Sequence, residues 1–263
     1  MSIKNFQKKN KYFLLFFLRI INLITKYIPR KFIILIVKIT VLIGAYTNNP
    51  RKDLILIFKI KDEIEKILNN RALAFGNHEH PKHYLTNYHK FFIDNINDGE
   101  KVIDIGCGYG SVSRSVALAK QNSIILGIDN DIIRLRQAQS SQNPKNLSFI
   151  YGNAVTYDFA QDWDVVILSN VIEHIESRID FLKSIISNIK PKRILIRVPN
   201  YERDWQIPLR DQLGINYFTD SDHKIEHKLN EFSYEIGEAN LNIEKVITNW
   251  GEIWAVCLPK GTY

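Results

Sequence analysis

Residues 101–113 read KVIDIGCGYGSVS, a short apolar run leading into Gly106-x-Gly108-x-Gly110 and then into a helical start. Glycines at alternate positions let a chain turn tightly and leave bare backbone for a ligand to lie against. The start of the following helix offers N–H groups with no intrahelical partner. Asp129 stands 19 residues beyond Gly110, at the end of the next apolar run, Ile124–Ile128. An acid there, in a doubly wound sheet, accepts hydrogen bonds from both hydroxyls of a ribose. Strand, loop, helix and acid in this order are a far stronger signal than the glycines alone. The dinucleotide fingerprint G-x-G-x-x-G needs a third glycine at position 111, which is Ser111. The loop therefore holds a nucleoside without seating a pyrophosphate, which argues against a nicotinamide-linked dehydrogenase.

On these residues the stretch 100–257, roughly 60% of the chain, resembles the class I S-adenosylmethionine-dependent methyltransferases. The resemblance implies S-adenosyl-L-methionine as cofactor. It puts Asp104, Gly106, Cys107, Gly108 and Gly110 around the methionine part, and Asp129 with Asn130 at the ribose. Asn153-Ala154, after the third strand, matches the adenine position, where Asp is common; Asn accepts the same bond as a neutral partner. Ser169–Ile175 (SNVIEHI) matches the segment lining the methyl end and brings in Asn170. SNVIEHI also resembles the corresponding segment of the ubiquinone-biosynthesis O-methyltransferases, some of which are thought to use a Glu/Glu/His metal site. Glu173 and His174 match, but the first Glu is Asn170, so no metal is expected. On the plainer reading these two residues open the next helix, with Glu favoured by the helix dipole. HPKHYLTNYHKFF (80–92), RVPNYERDW (197–205) and NWGEIWA (249–255) together resemble a bacterial methyltransferase group associated with surface-polysaccharide synthesis, an analogy of family and not of site.

A sulfonium is an activated methyl donor, so the protein has to align an acceptor, exclude water and supply a base. The catalytic candidates are His223 and His174, with Asp222 beside His223 to orient it. The acceptor site is expected over the carboxyl ends of the strands. His78–Tyr88 and the long stretch Pro199–Asn230 are placed to build it; the latter carries Tyr201, Arg203, Asp204, Trp205, Tyr217, Glu226 and His227. His78, His80, His83 and His89 have irregular spacing, and Pro81 interrupts any helix there, so they read as solvated or substrate-facing groups. Trp250 and Trp254 read as core. The acceptor is expected to be a hydroxyl of a sugar or lipid-linked glycan. A quinone or small phenol is the alternative, and a non-catalytic cofactor-binding assembly subunit a further one.

The elements that hold these residues follow from periodicity. Apolar runs at Val102–Ile105, Ile124–Ile128, Leu147–Tyr151, Val165–Leu168, Ile194–Val198, Leu241–Ile247 and Ile253–Leu258 alternate with helical stretches Ser111–Lys120, Asp131–Gln139 and Ile172–Ile189. The expectation is an α/β fold: a Rossmann-like, doubly wound, mostly parallel seven-stranded sheet. Its last two strands form an antiparallel hairpin about a Thr248-Asn249 turn.

Ahead of this domain (71–263) residues 1–70 form a basic, hydrophobic helical arm. The first 60 residues hold 12 Lys/Arg against one acid, a net of +11; the other 23 basic and 27 acidic residues give −4. A mildly acidic catalytic part excludes a nucleic-acid enzyme, and the arm points to an anionic surface. Tyr12–Ile28, with Phe13, Phe16, Phe17, Ile20, Ile21 and Ile24 on one face, has the pattern of a helix lying in a membrane interface. Phe32–Tyr46 is also apolar, Pro29 separates the two, and Asp53–Asn70 is a third helix. Both apolar stretches are short for a bilayer of about 30 Å. The arm reads as a peripheral membrane contact on a cytoplasmic enzyme, with packing on the domain or homodimer formation as alternatives. Two cysteines far apart, Cys107 and Cys257, give no disulfide framework.

Overall fold

The computed structural model describes residues 28–76, 80–157, 159 and 162–261. The expected interfacial helix over Tyr12–Ile28, all but its last residue, and His78 lie outside them. The chain divides into two compact units, Met1–Arg71 and Ala72–Tyr263.

In the first unit α1 (Arg30–Gly44) has no buried residue. Its sequence, RKFIILIVKITVLIG, is apolar on every side, and Ile34 and Ile43 are 69% and 78% exposed. A short turn buries Ala45 and leads to α2 (Pro50–Phe75), which buries Phe58. Asn49 Oδ1 accepts the Lys52 N–H, one of the first backbone donors of α2, and the Asp53 carboxylate accepts Thr47 N and Oγ1 of the preceding turn. Asn69-Asn70 does not end this helix; the good helix formers Arg71-Ala-Leu-Ala carry it on to Phe75. No helix among the described residues is long and apolar enough to cross a membrane.

The second unit begins with two short helices, α3 (Lys82–Thr86) and α4 (Tyr88–Asp94), so Pro81 starts a helix instead of preventing one, as its missing N–H allows. Then follow β1 (Lys101–Ile105), α5 (Ser111–Ala119), β2 (Ile124–Asp129), α6 (Ile132–Ser140), β3 (Leu147–Tyr151), β4 (Val165–Ser169), α7 (Arg178–Ile189), β5 (Arg193–Pro199), α8 (Gln206–Leu213), α9 (Leu229–Glu238), β6 (Leu241–Asn249) and β7 (Glu252–Pro259). The seven strands form one sheet in the order β3-β2-β1-β4-β5-β7-β6, parallel from β3 to β5, with β7 antiparallel to both neighbours. This is the expected Rossmann-like fold. Alternate residues of the central strands feed two cores. Ile103, Ile105, Val166, Leu168, Ile194 and Ile196 pack with Leu182, Ile185 and Phe232 of α7 and α9. Val102, Val165, Ile167 and Leu195 pack with Phe92 and Val116 of α4 and α5. Strands buried on both faces explain why they read as continuous apolar runs.

Three local expectations are corrected. The β6–β7 hairpin turns at Trp250-Gly251, where both residues take positive φ (53° and 76°), the two-residue turn that suits the strand twist. Trp250 is thereby turned out, 63% exposed, while Trp254 is core. The Ile172–Ile189 stretch is not one helix: a 3-10 turn at Ile172–His174 and an extended Ile175 precede α7. Pro199–Asn230 contains a 3-10 turn at Tyr201–Arg203 and the whole of α8.

Candidate active site

The chain runs outward from β1 to β2 and β3, then returns to lay β4 on the other side of β1. Between the carboxyl ends of β1 and β4 the two following loops diverge, which opens the crevice where ligands of such sheets bind. The loop after β1 has Gly106, Gly108 and Gly110 at φ of 68°, 54° and 73°, a region side chains avoid. A Cβ on Gly110 would stand 2.4 Å from the Phe149 ring, and one on Gly106 2.8 Å from Val171 of the loop after β4. At Gly108 nothing lies within 4 Å, so the middle of the loop faces open space.

Asp129, at the tip of β2, is buried beside this loop. One carboxylate oxygen accepts the Gly108 N–H at 2.7 Å and the other the Asp131 N–H at 2.7 Å. Each oxygen keeps a lone pair for a further donor. Asp104 is buried and accepts the Ser113 hydroxyl at 2.5 Å; burial, opposed by that bond and aided by Asp129, pushes its carboxyl up to about 7. Its bond ties the end of β1 to α5. Cys107 packs inward against the Leu135–Phe149 cluster, and burial drives its thiol far above its ordinary range. Asn130 is exposed next to Asp129. Asn153 Oδ1 accepts the Val155 N–H at 2.9 Å, and Ala154 is buried beside it.

The segment after β4 carries the centre of the site. Asn170 takes a positive φ (57°), and its Oδ1 is buried without a hydrogen-bond partner. Both carboxyl oxygens of Glu173, which is wholly buried, likewise lack a partner from another residue, and burial raises this group to about 8. His174 and His223 meet edge to face, ring centroids 4.6 Å apart. One ligand-capable atom from each of Glu173, His174 and His223 lies within 4.8 Å of the others. Among the described residues this is the cluster able to hold a metal ion. The loop after β5 closes on it: Lys224 N–H donates to Glu173 O, and Asp222 Oδ2 is 3.1 Å from His174 Nδ1. Asp222 therefore serves His174 and not its sequence neighbour. His223 has Glu226 Oε1 at 3.5 Å and Thr219 Oγ1 at 3.4 Å from Nδ1. Burial pushes His223 down, but Glu226, Glu173 and Asp220 outweigh it and leave the imidazole above its ordinary value. At His174 burial outweighs Asp222 and leaves the imidazole below its ordinary value.

Sequence reasoning missed the struts. Arg197 of β5 pairs with Glu252 of β7 and lies 3.8 Å over the Tyr88 ring. His89 Nδ1 is 2.8 Å from Ser115 Oγ; burial, with His83 and Arg197 beside it, lowers this imidazole to about 4. Arg178 donates twice to Glu235, at 2.8 and 2.6 Å, and buried His227 Nε2 lies 3.0 Å from the same carboxylate. Burial opposes ionisation of Glu235, but Arg178 and His227 outweigh it and pull the group down to about 2. A depressed carboxyl contributes stability that is full above its unfolded value of about 4.3 and is lost as pH falls towards 2. Wild type should thus lose about 2–3 kcal/mol more than Glu235→Gln between pH 6 and pH 2 in urea unfolding. Parallel pH curves for the two would refute the strut.

The methyltransferase-domain family matches residues 96–244, more than half of the sequence. The chain belongs to that family. Residues 96–244 are its methyltransferase domain. The chain is 30% identical over 105 residues to the mitochondrial ubiquinone biosynthesis O-methyltransferase of Schizosaccharomyces pombe, covering 39% of this chain and 38% of that one. It is 29% identical over 104 residues to the enzyme of the same name from Histophilus somni, covering 36% and 43%. It therefore spans less than half the length of these curated relatives. A magnesium protoporphyrin IX methyltransferase from Synechocystis, solved with bound SAH, shares the fold: TM-score 0.53, 16% identity, over 66% of this chain and 83% of that one.

Proposed function

We propose that this methyltransferase transfers the methyl group to the hydroxyl of a quinone precursor or other small phenol, at the Glu173–His174–His223 centre. The observation that carries the reading is that cluster, whose buried Glu173 carboxyl has no hydrogen-bond partner from another residue. The relatives named above favour a quinone-type acceptor over the glycan. Acidity favours it too. A phenol ionises near 10, within reach of an imidazole base, whereas an alkyl hydroxyl is far harder to deprotonate. Tyr201, Tyr217 and Phe218 stack edge to face or tilted, centroids 5.4 and 4.5 Å apart, on the loop that carries His223, and suit a planar ring.

The crevice suits the donor. The open backbone at Gly108 takes the methionine part with Asp104 and Cys107 behind it, and Asp129 has lone pairs for the ribose. Asn153, Ala154 and Asn130 flank the nucleoside, and Asn170 faces the methyl end. Asp129→Ala should weaken S-adenosylmethionine binding by about 1.5–3 kcal/mol, the scale of charge-assisted hydrogen bonds. Calorimetric titration checks this, and an unchanged Kd removes Asp129 from the ribose site.

In the first reading of the centre His223 is the base and His174 its neighbour at the acceptor. The second rests on Glu173: one carboxylate and two imidazoles are a fitting donor set for a divalent transition metal. Such an ion supplies Lewis acidity to a bound phenolate. Activity that survives chelation unchanged removes the second reading; activity lost and restored by added Mn²⁺ or Zn²⁺ favours it.

The first unit is the part that meets the cytoplasmic face of a membrane in this proposal. The apolar, exposed α1 with Arg30, Lys31 and Lys38 supports that role, and a lipid-soluble phenol would be found there. The test is transfer of labelled methyl from S-adenosylmethionine to a simple catechol, to a lipid extract and to a lipid-linked glycan fraction. Label in catechol or in a phenolic lipid supports the proposal. Label only in the glycan replaces the acceptor, and label in catechol with none in the lipid extract removes the membrane from it.

A further inference from the structure

The loop that brings His223 to the centre is built around a second, buried charge pair. Glu226 is sequestered from solvent, and its Oε2 pairs with Arg203 Nη1. Arg203 also donates to Asn200 O and Tyr217 O, each at 2.9 Å, so one guanidinium ties the end of β5 to two points of the loop. The other Glu226 oxygen, Oε1, accepts the Thr219 N–H at 2.5 Å and stands 3.5 Å from His223 Nδ1. A brace for the loop needs only Arg203 and the Thr219 N–H. The position of Oε1 against an imidazole nitrogen adds something a brace does not use. A buried charge is expensive to bring out of water, and pairing alone seldom repays it.

We infer that Glu226, held by Arg203, is a positioning residue that fixes His223 as its Nδ1–H tautomer and leaves the Nε2 lone pair for the reaction centre. Nδ1 is turned towards Glu226 Oε1 and Thr219 Oγ1, both able to accept. Nε2 is on the far side of the ring. A neutral imidazole has one donor and one acceptor nitrogen, and the partner of the first decides which is which. Taking a proton and binding a cation both need that Nε2 lone pair. The inference rests on the site reading above, but it holds for either chemistry at the centre. The geometry differs from a sequence-neighbour pairing: Glu226 lies three residues on, and Asp222 is engaged by His174.

The test is ¹⁵N-histidine NMR of the full chain, at a pH where the imidazole is neutral, with His223 assigned by its loss in His223→Gln. The expected result is a protonated Nδ1 and an unprotonated Nε2. Glu226→Leu should shift His223 towards the Nε2–H form, and Glu226→Gln, which keeps an acceptor oxygen, should shift it less. In the catechol assay the same order should appear in kcat, with a loss of about 10–100-fold for Glu226→Leu, partial recovery in Glu226→Gln, and KM for S-adenosylmethionine unchanged. A wild-type His223 protonated on Nε2 overturns the inference, as does a Glu226→Leu protein that keeps the wild-type tautomer. If that variant does not fold, the wild-type spectrum still decides. The spectrum needs no acceptor, so a catechol left unmethylated counts against the proposed substrate and not against this tautomer.

Discussion

Replacing His223 by alanine should lower kcat by about 10²–10⁴-fold while leaving the Kd for S-adenosylmethionine within about twofold. The argument is one of position. The groups suited to the cofactor, the loop 106–110 and Asp129, stand at the ends of β1 and β2. His223 reaches the site from the other direction, on the loop after β5, and meets Glu173 and His174 after β4. Removing it empties the acceptor side only. His174→Ala should cost less, since burial holds His174 below its ordinary value and so makes it the weaker base, and its Nδ1 faces an exposed Asp222. Single-turnover kinetics with labelled donor separate transfer from binding. A His223→Ala enzyme with undiminished single-turnover rate would move the chemistry elsewhere. Loss of donor affinity in the same variant would mean that the crevice has been divided wrongly between donor and acceptor.

The geometry of the glycine loop and Asp129 was legible in the sequence because its demands are local. A tight turn with bare backbone asks for Gly106, Gly108 and Gly110, and the sheet fixes the distance from them to Asp129. The central strands were legible within a residue or two because both faces of the sheet are covered there. The acceptor side depends on pairs that periodicity cannot see. Ile172, Ile175 and Ile179 have helical spacing, so the stretch reads as one helix. In the fold its first turn is pulled into a 3-10 form that turns Glu173 inward, and Ile175 breaks the run. Asp222 looked like the partner of His223 because they are adjacent, yet adjacent side chains on a loop diverge. Trp250 is apolar and falls in a strand-rich stretch, but the hairpin needs two positive-φ residues and takes Trp250 as one of them. Arg203 and Glu226 are 23 residues apart, and only the folded loop joins them.

Glu173→Leu should make the protein more stable and abolish methyl transfer. The side chain is wholly buried, and neither oxygen has a hydrogen-bond partner from another residue. An unpaired polar group in that position costs about 1–3 kcal/mol of folding free energy, which an apolar side chain of similar size recovers. The pH dependence gives a second handle. Burial raises the Glu173 carboxyl to about 8, above its unfolded value of about 4.3. A raised acid contributes fully below the unfolded value, and its contribution is lost as pH climbs through the folded one. Wild type should therefore lose ground to Glu173→Leu between about pH 4.3 and 8, by on the order of 5 kcal/mol, and the gap should be flat above that. Urea unfolding in the presence of a chelator measures both terms. A Glu173→Leu protein that is less stable than wild type at pH 8 would mean that the carboxyl is a structural partner and not a functional group. The expected combination, gain in stability with loss of transfer, has a simple cause: a site that must meet a ligand keeps polar groups unmatched until the ligand arrives.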